Sequence, residues 1–122
     1  MQLHVTDTRA KLLELHRRLL QAQRVEVERF GGRMTPGELL QAATEDLRFS
    51  WLRELSQLIV ALDDDPAPAL DRARALIAPP DPETPFGARY LHCLQAFPDV
   101  VLAHRDATAA LASASSAEAA AL

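Results

Sequence analysis

The apolar residues near the start of the chain recur every three or four positions, and this spacing constrains the fold more than any other feature. It predicts one long amphipathic helix of about 23 residues, roughly 35 Å in length. We expect Asp7 or Thr8 to be its N-cap, Phe30 its last residue, and the Gly31-Gly32 pair its C-terminal stop. The residues on its predicted inner face are Leu12, His16, Leu19, Leu20, Gln23, Val27 and Phe30.

The stretch "MTPGELL" carries the signals of a second helix start. Thr35 has the position of an N-cap, Pro36 that of the first helical residue, and Glu38 completes a capping box with Thr35. Met34 can then pack onto Leu39 as a hydrophobic staple. We predict that a helix begins at Pro36.

A bend near residues 44–46 is expected next, because Thr44 and Asp46 can cap a new start. The helix after it should run to Leu62, with a wide apolar face that predicts contact with several neighbours. The members of that face are Phe49, Trp51, Leu52, Leu55, Ser56, Leu58, Ile59 and Leu62. Trp51 is then either a residue at the edge of the core or, with Arg53, part of an exposed surface that binds a partner.

Prolines divide the second half of the chain into shorter elements. We expect a short helix over residues 71–78, followed by an extended surface loop, "APPDPETP". Thr84 and Pro85 predict the start of a helix that ends before Pro98, and Asp99 is a candidate N-cap for the last helix.

The length of 122 residues is enough for one domain with a single core. Leu and Ala are abundant whereas Val and Ile are scarce, which favours helix over strand. The sequence therefore predicts an all-α bundle of about five helices over residues 1–112. Residues 113–122 form an Ala/Ser-rich tail, either a frayed helix or disordered.

The segments "TPGELL" and "FSWLRELS" resemble a family of small bacterial all-helical proteins without an assigned function. The resemblance covers roughly the first half of the chain. It implies a helical fold and carries no catalytic or binding residue across.

Charge and cysteine content narrow the function classes. The net charge is −4, yet residues 1–34 carry seven bases and four acids, which gives +3 there and leaves −7 for the remainder. Such a segment either steers a partner or pairs with its own acidic neighbours.

Cys93 is the only cysteine, so an intrachain disulfide is excluded. The absence of a membrane-length apolar run and of a signal-peptide pattern predicts a cytoplasmic protein without a membrane partner.

Histidines are the remaining candidates for chemistry. The chain has no Gly-rich phosphate loop, nucleophile elbow or paired metal-ligand motif, so we predict no catalytic residue. His16 and His104 lie on the apolar faces of the first and last helices. Each is either a hydrogen-bonded core residue or, with Tyr90, part of a site for haem or a transition metal. Gln23 either fixes helix register or lies at the edge of its apolar face.

These observations favour a non-enzymatic interaction protein that self-associates through a helix face, with a protein partner or a second copy bound. The alternative is a carrier that binds a small ligand, haem or a metal through His16, His104 and Tyr90. An unfamiliar enzyme ranks third. A nucleic-acid-binding module ranks fourth, because no helix combines bases with side chains suited to reading base edges.

Overall fold

The computed structural model describes the backbone of residues 2–121 and the side chains of residues 5–114. Within these residues the chain forms helices and no strand. The elements in chain order are α1 (Gln2–Gly31), α2 (Pro36–Glu45), a 3₁₀ helix (Leu47–Leu52), α3 (Arg53–Asp64), α4 (Pro66–Ile77), α5 (Pro85–Ala96) and α6 (Pro98–Ala121). The all-α prediction is confirmed, with six α-helices where about five were expected.

The first helix begins earlier than its predicted cap. α1 starts at Gln2, so Asp7 and Thr8 lie inside it. Thr8 is buried, and its hydroxyl donates a hydrogen bond to the carbonyl oxygen of Ala110 at 3.4 Å. The prediction that Asp7 or Thr8 caps the helix is therefore wrong, because α1 has already begun at Gln2 and the Thr8 hydroxyl bonds to another helix. The predicted stop is confirmed: Gly32 has φ +79° and its N–H donates to the carbonyl oxygen of Glu28.

The start of α2 follows its sequence signals. Thr35 Oγ1 accepts a hydrogen bond from the backbone N–H of Glu38, and Glu38 Oε1 accepts one from the backbone N–H of Thr35. This reciprocal capping box satisfies two backbone donors that the first turn leaves free. Leu39 and Ala42 are the buried residues of α2.

The predicted bend is present, but the helix after it differs from the prediction. Residues Leu47–Leu52 form a 3₁₀ helix, and regular α-helix begins only at Arg53. The Asp46 carboxylate accepts a hydrogen bond from the backbone N–H of Arg48. Phe49 and Leu52, three residues apart, are both buried, which fits an element with three residues per turn.

Proline also determines where the later helices begin. α4 begins at Pro66 rather than Asp71. Proline is tolerated in the first turn of a helix, because the backbone N–H that it lacks has no hydrogen-bond partner within the helix at that position. α6 likewise begins at Pro98, which places Asp99 within the first turn and makes the prediction of an Asp99 cap wrong. The start of α5 is as predicted: Thr84 Oγ1 accepts from the backbone N–H of Gly87.

α1 and α6 have the most extensive contact of any two helices in the bundle, and they run antiparallel. Thr8 contacts Ala110, whereas Arg18 pairs with Asp99 at 3.5 Å, so the order of contacts reverses between the two helices. Alanine supplies most of the buried face of α6, which lets the two helix axes approach closely. The buried residues of that face are Val100, Ala103, Ala107, Ala110, Leu111 and Ala114.

Leucine side chains from α1, α3 and α4 fill the centre of the bundle. Leu55 is fully buried and Ile59 is 4% exposed, as predicted. In contrast, Phe30 is 91% exposed, so the prediction that it lies on the inner face is wrong. The contact of α1 with the core ends about one turn earlier, where Val27 is only partly buried.

The C-terminal tail continues α6 as far as Ala121, which corresponds to the helical alternative. Ala114 is buried, and the side chains of residues 115–122 lie outside the described residues. The domain boundary at residue 112 stays a prediction.

Candidate functional site

The structure brings together two of the three residues proposed as ligands. The Tyr90 hydroxyl oxygen on α5 lies 2.6 Å from Nδ1 of His104 on α6. Their rings meet edge to face, with centroids 5.5 Å apart. Tyr90 is fully buried and His104 is partly buried. The pair therefore joins α5 to α6 from inside the bundle.

The chemistry of this pair follows from burial. Desolvation, reinforced by Cys93, raises the pKa of Tyr90, which keeps the phenol protonated and able to donate. Burial lowers the pKa of His104, so its imidazole is neutral at pH 7. A neutral ring with its proton on Nε2 accepts the phenol's hydrogen bond at Nδ1. The pair has the properties of a structural contact and offers no ionised group for catalysis.

His16 forms no hydrogen bond with this pair in the described part of the chain. It is partly buried on α1, and burial lowers its pKa. Among the hydrogen bonds of residues 5–114, none joins His16 to Tyr90 or His104. No group of three or more His, Cys, Asp or Glu side chains in the described residues is placed to hold a metal ion. The haem or metal site stays a prediction without supporting geometry.

Cys93 is one turn beyond Tyr90 on α5. It is 3% exposed, and burial raises its pKa to about 11, with the charge of Glu26 acting in the same direction. A thiol with this pKa stays protonated at neutral pH and is a weak nucleophile. Cys93 therefore acts as a small core residue.

Trp51 and Gln23 are partners, although 28 positions separate them in the sequence. The indole N–H of Trp51 donates a hydrogen bond to Gln23 Oε1 at 3.1 Å. Gln23 is 6% exposed, so it lies inside the bundle and not at the edge of its helix face. The bond fixes the 3₁₀ helix against α1, which is the register role considered for Gln23.

An aromatic series extends from Trp51 to His104. The ring centroids of Trp51 and Phe86 are 5.6 Å apart, and those of Phe86 and Tyr90 are 5.4 Å apart and stacked. Together with the Gln23 bond, the series connects α1, the 3₁₀ helix, α5 and α6. The sequence identified Trp51 as a candidate residue at the edge of the core and Gln23 as a candidate for fixing helix register. Their pairing has no local signal and was missed.

The other residue proposed for an interaction surface, Arg53, also has an internal partner. Its Nη2 atom donates a hydrogen bond to the carbonyl oxygen of Thr44 in the last turn of α2. Arginine near a helix C-terminus commonly satisfies a carbonyl in this way. Trp51 is partly buried and Arg53 is exposed, and each donates one hydrogen bond within the chain. A role of either residue in binding stays a prediction.

The basic residues of α1 are largely neutralised within the chain. Glu14 pairs with Arg17 and Arg18, and its pKa is lowered by the hydrogen bond from Arg17. Further pairs are Arg9–Asp63, Arg24–Glu28 and Arg29–Glu26. These pairs correspond to the alternative in which the segment pairs with its own acidic neighbours, and among the described side chains only Arg9–Asp63 and Arg18–Asp99 use acids from outside residues 1–34.

No helix in the described part of the chain is long and apolar enough to cross a membrane. In the comparisons with known proteins, no protein-family model, curated protein or solved structure matches the chain.

Proposed function

We propose that this chain is a non-enzymatic interaction protein that self-associates through the surface around α2. The observation that carries the proposal is the exposure of three large apolar side chains: Phe30 at 91%, Leu47 at 84% and Leu40 at 72%. These are the highest exposures among the large apolar residues with described side chains. They lie on consecutive elements, Phe30 at the end of α1, Leu40 on α2 and Leu47 at the start of the 3₁₀ helix. We propose that they form one surface, which we call the α2 surface.

The attachment of α2 supports this choice of surface. α2 packs mainly on the adjoining 3₁₀ helix and buries only Leu39 and Ala42. Leu40 lies beside Leu39 in the sequence, yet its side chain faces outward. An amphipathic helix of ten residues with a further exposed leucine gains stability when a partner covers that leucine.

Charge favours a second copy as the partner. Residues 29–48 contain three arginines and three acids, so their net charge is zero, whereas the whole chain carries −4. Two copies that meet through this segment bring no net charge together. In a twofold interface the same segment also faces itself, so charges of both signs lie on each side of it. The charged residues are Arg29, Arg33, Glu38, Glu45, Asp46 and Arg48.

The expected association is weak and depends on concentration. Covering one exposed leucine or phenylalanine contributes roughly 2 kcal/mol. The gain from three such residues on each copy has to offset the translational and rotational entropy lost when two molecules associate, which costs about 4–15 kcal/mol. The proposal places the protein in the cytoplasm, in agreement with its single cysteine, and includes neither nucleic acid nor membrane as partner.

Sedimentation velocity tests the α2 surface directly. We expect the sedimentation coefficient of the unmodified chain to rise between about 10 µM and about 500 µM, the range of a weak dimer. The Leu40→Ser/Leu47→Ser variant should stay monomeric throughout. The matched control, Val60→Ser/Leu102→Ser, removes two other exposed apolar residues, with exposures of 64% and 52%, and should associate like the unmodified chain. Equal association of both variants would refute the assignment of this surface.

A further inference from the structure

A cleft of about 510 Å³ lies between α3, α4 and the loop of residues 78–84. Its volume is within the range of about 300–1,000 Å³ that small-molecule sites occupy. Leu58 and Leu76 supply apolar wall, while Glu54, Arg72 and Asp81 supply charge. The α2 surface contributes no residue to this cleft, so the two surfaces are separate.

Hydrogen bonds fix the loop that closes one side of the cleft. The carbonyl oxygen of Asp81 accepts from both the backbone N–H and the hydroxyl of Thr84. The Thr84 hydroxyl in turn accepts from the backbone N–H of Gly87 on α5. A Cβ atom at Gly87 would lie 1.7 Å from the Asp81 carbonyl oxygen, so the loop packs against helix backbone without space for a side chain. This wall is therefore preformed.

The charged groups of the cleft remain available to a ligand. Arg72 and Glu54 are exposed, and neither takes part in an ion pair among the residues with described side chains. In contrast, Arg74 on the same helix pairs with Asp71 and donates to the carbonyl oxygen of Leu111. Asp81 uses Oδ1 for the backbone N–H of Glu83, which leaves its second carboxylate oxygen for another donor.

We propose that this cleft binds a small zwitterion of about dipeptide size. Its carboxylate pairs with the Arg72 guanidinium, and its ammonium group pairs with Glu54 and Asp81. Its apolar side chains contact Leu58 and Leu76. Opposite charges that line one cleft without pairing to each other suit a ligand that carries the complementary charges at its two ends.

The test is an NMR titration of the full ¹⁵N-labelled chain with the dipeptide leucyl-leucine as probe. We expect saturable shifts at the backbone amides of Gln57, Ala61, Arg72 and Ala75, all on the two helices of the cleft. N-acetyl-leucyl-leucine lacks the ammonium group and leucyl-leucine amide lacks the carboxylate. Each should bind at least about tenfold more weakly, the loss expected for one charge-assisted contact.

Variants separate the cleft from nonspecific binding. Arg72→Gln should weaken leucyl-leucine at least about tenfold and abolish the preference for the free carboxylate over the amide. Arg105→Gln, which removes an exposed arginine on α6, should bind like the unmodified chain. The proposal is overturned if the cleft amides do not shift up to about 10 mM probe, or if the blocked dipeptides bind as well as the free one.

Discussion

The phenol oxygen of Tyr90 lies 2.6 Å from Nδ1 of His104, so two side chains that the sequence offers as ligands are each other's hydrogen-bond partners. Tyr90 is fully buried and forms part of the aromatic series that begins at Trp51. A ligand that used the Tyr90 oxygen or the Nδ1 atom of His104 would have to displace this bond. The geometry therefore favours a structural role for the pair over a carrier site.

The histidines predict how stability responds to mild acid. The pKa values of both His16 and His104 are lowered by burial from the ordinary value of 6.5. The folded chain resists protonation at these sites, whereas the unfolded chain accepts protons more readily. The free energy of unfolding should therefore be at its full value above about pH 6.5 and fall as the pH drops below it. Urea unfolding at pH 7.5 and pH 5.5 measures this change.

Variants assign that change to the two histidines. His16→Gln and His104→Gln should each reduce the difference in unfolding free energy between pH 7.5 and pH 5.5. Asp46 does not contribute in this window, because its pKa lies below that range both at the ordinary value of 3.8 and in the folded chain, where hydrogen bonds with Arg48 lower it to about 2. A pH dependence that persists unchanged in the double variant would show that other groups cause it.

Gln23 should stabilise the chain through Trp51. In Gln23→Leu the indole N–H of Trp51 loses its acceptor in a partly buried position, which should cost about 1–2 kcal/mol. Urea unfolding followed by the fluorescence of Trp51, the only tryptophan, measures this loss. Gln21→Leu is the matched control, because Gln21 is an exposed residue of the same helix and its replacement should change stability by less than about 0.5 kcal/mol. Equal effects of the two variants would rule out a special role for the bond.

Gly87 should not tolerate a methyl group. Gly87→Ala places Cβ against the Asp81 carbonyl oxygen, and the loop must shift, at a cost of about 1–3 kcal/mol. Gly37→Ala offers the opposite case. Gly37 lies in α2, and a Cβ atom added there meets no neighbouring side chain or other element within 4 Å. The higher helix propensity of alanine should therefore stabilise the folded chain by up to about 1 kcal/mol. Thermal unfolding of both variants checks the contrast, and a Gly87→Ala chain as stable as the parent would contradict the close contact.

Leu55 should be essential to the core. It is fully buried, and Leu55→Ala removes apolar contacts and leaves a cavity, at a cost of about 2–5 kcal/mol. Val60→Ala on the same helix should cost less than about 0.5 kcal/mol, because Val60 is 64% exposed. Chemical denaturation distinguishes the two, and a loss below about 1 kcal/mol for Leu55→Ala would remove this residue from the core.

Local signals in the sequence predicted local structure well. The capping box of Thr35 and Glu38, the stop at Gly32 and the start after Thr84 each depend on residues within four positions of one another. Prolines were harder to interpret, because the same residue ends one helix and begins the next. This ambiguity explains the late predicted start of α4 and the predicted cap at Asp99.

Contacts between distant residues could not be predicted in the same way. The Thr8–Ala110 and Gln23–Trp51 hydrogen bonds depend on which helix faces meet, and the periodicity of one helix carries no information about its neighbour. The cleft between α3 and α4 was missed for the same reason. Phe30 had the correct spacing for the inner face, but the core ends before α1 does.

Native mass spectrometry of the untagged chain, across a range of concentrations, tests the proposed self-association most directly. We predict a dimer of twice the chain mass that increases with concentration and retains no additional mass. The Leu40→Ser/Leu47→Ser variant should give only the monomer. A monomer at every concentration would contradict the account. A monomer whose retained extra mass is lost on acid denaturation would also make the carrier alternative, with His16 and His104, the better explanation.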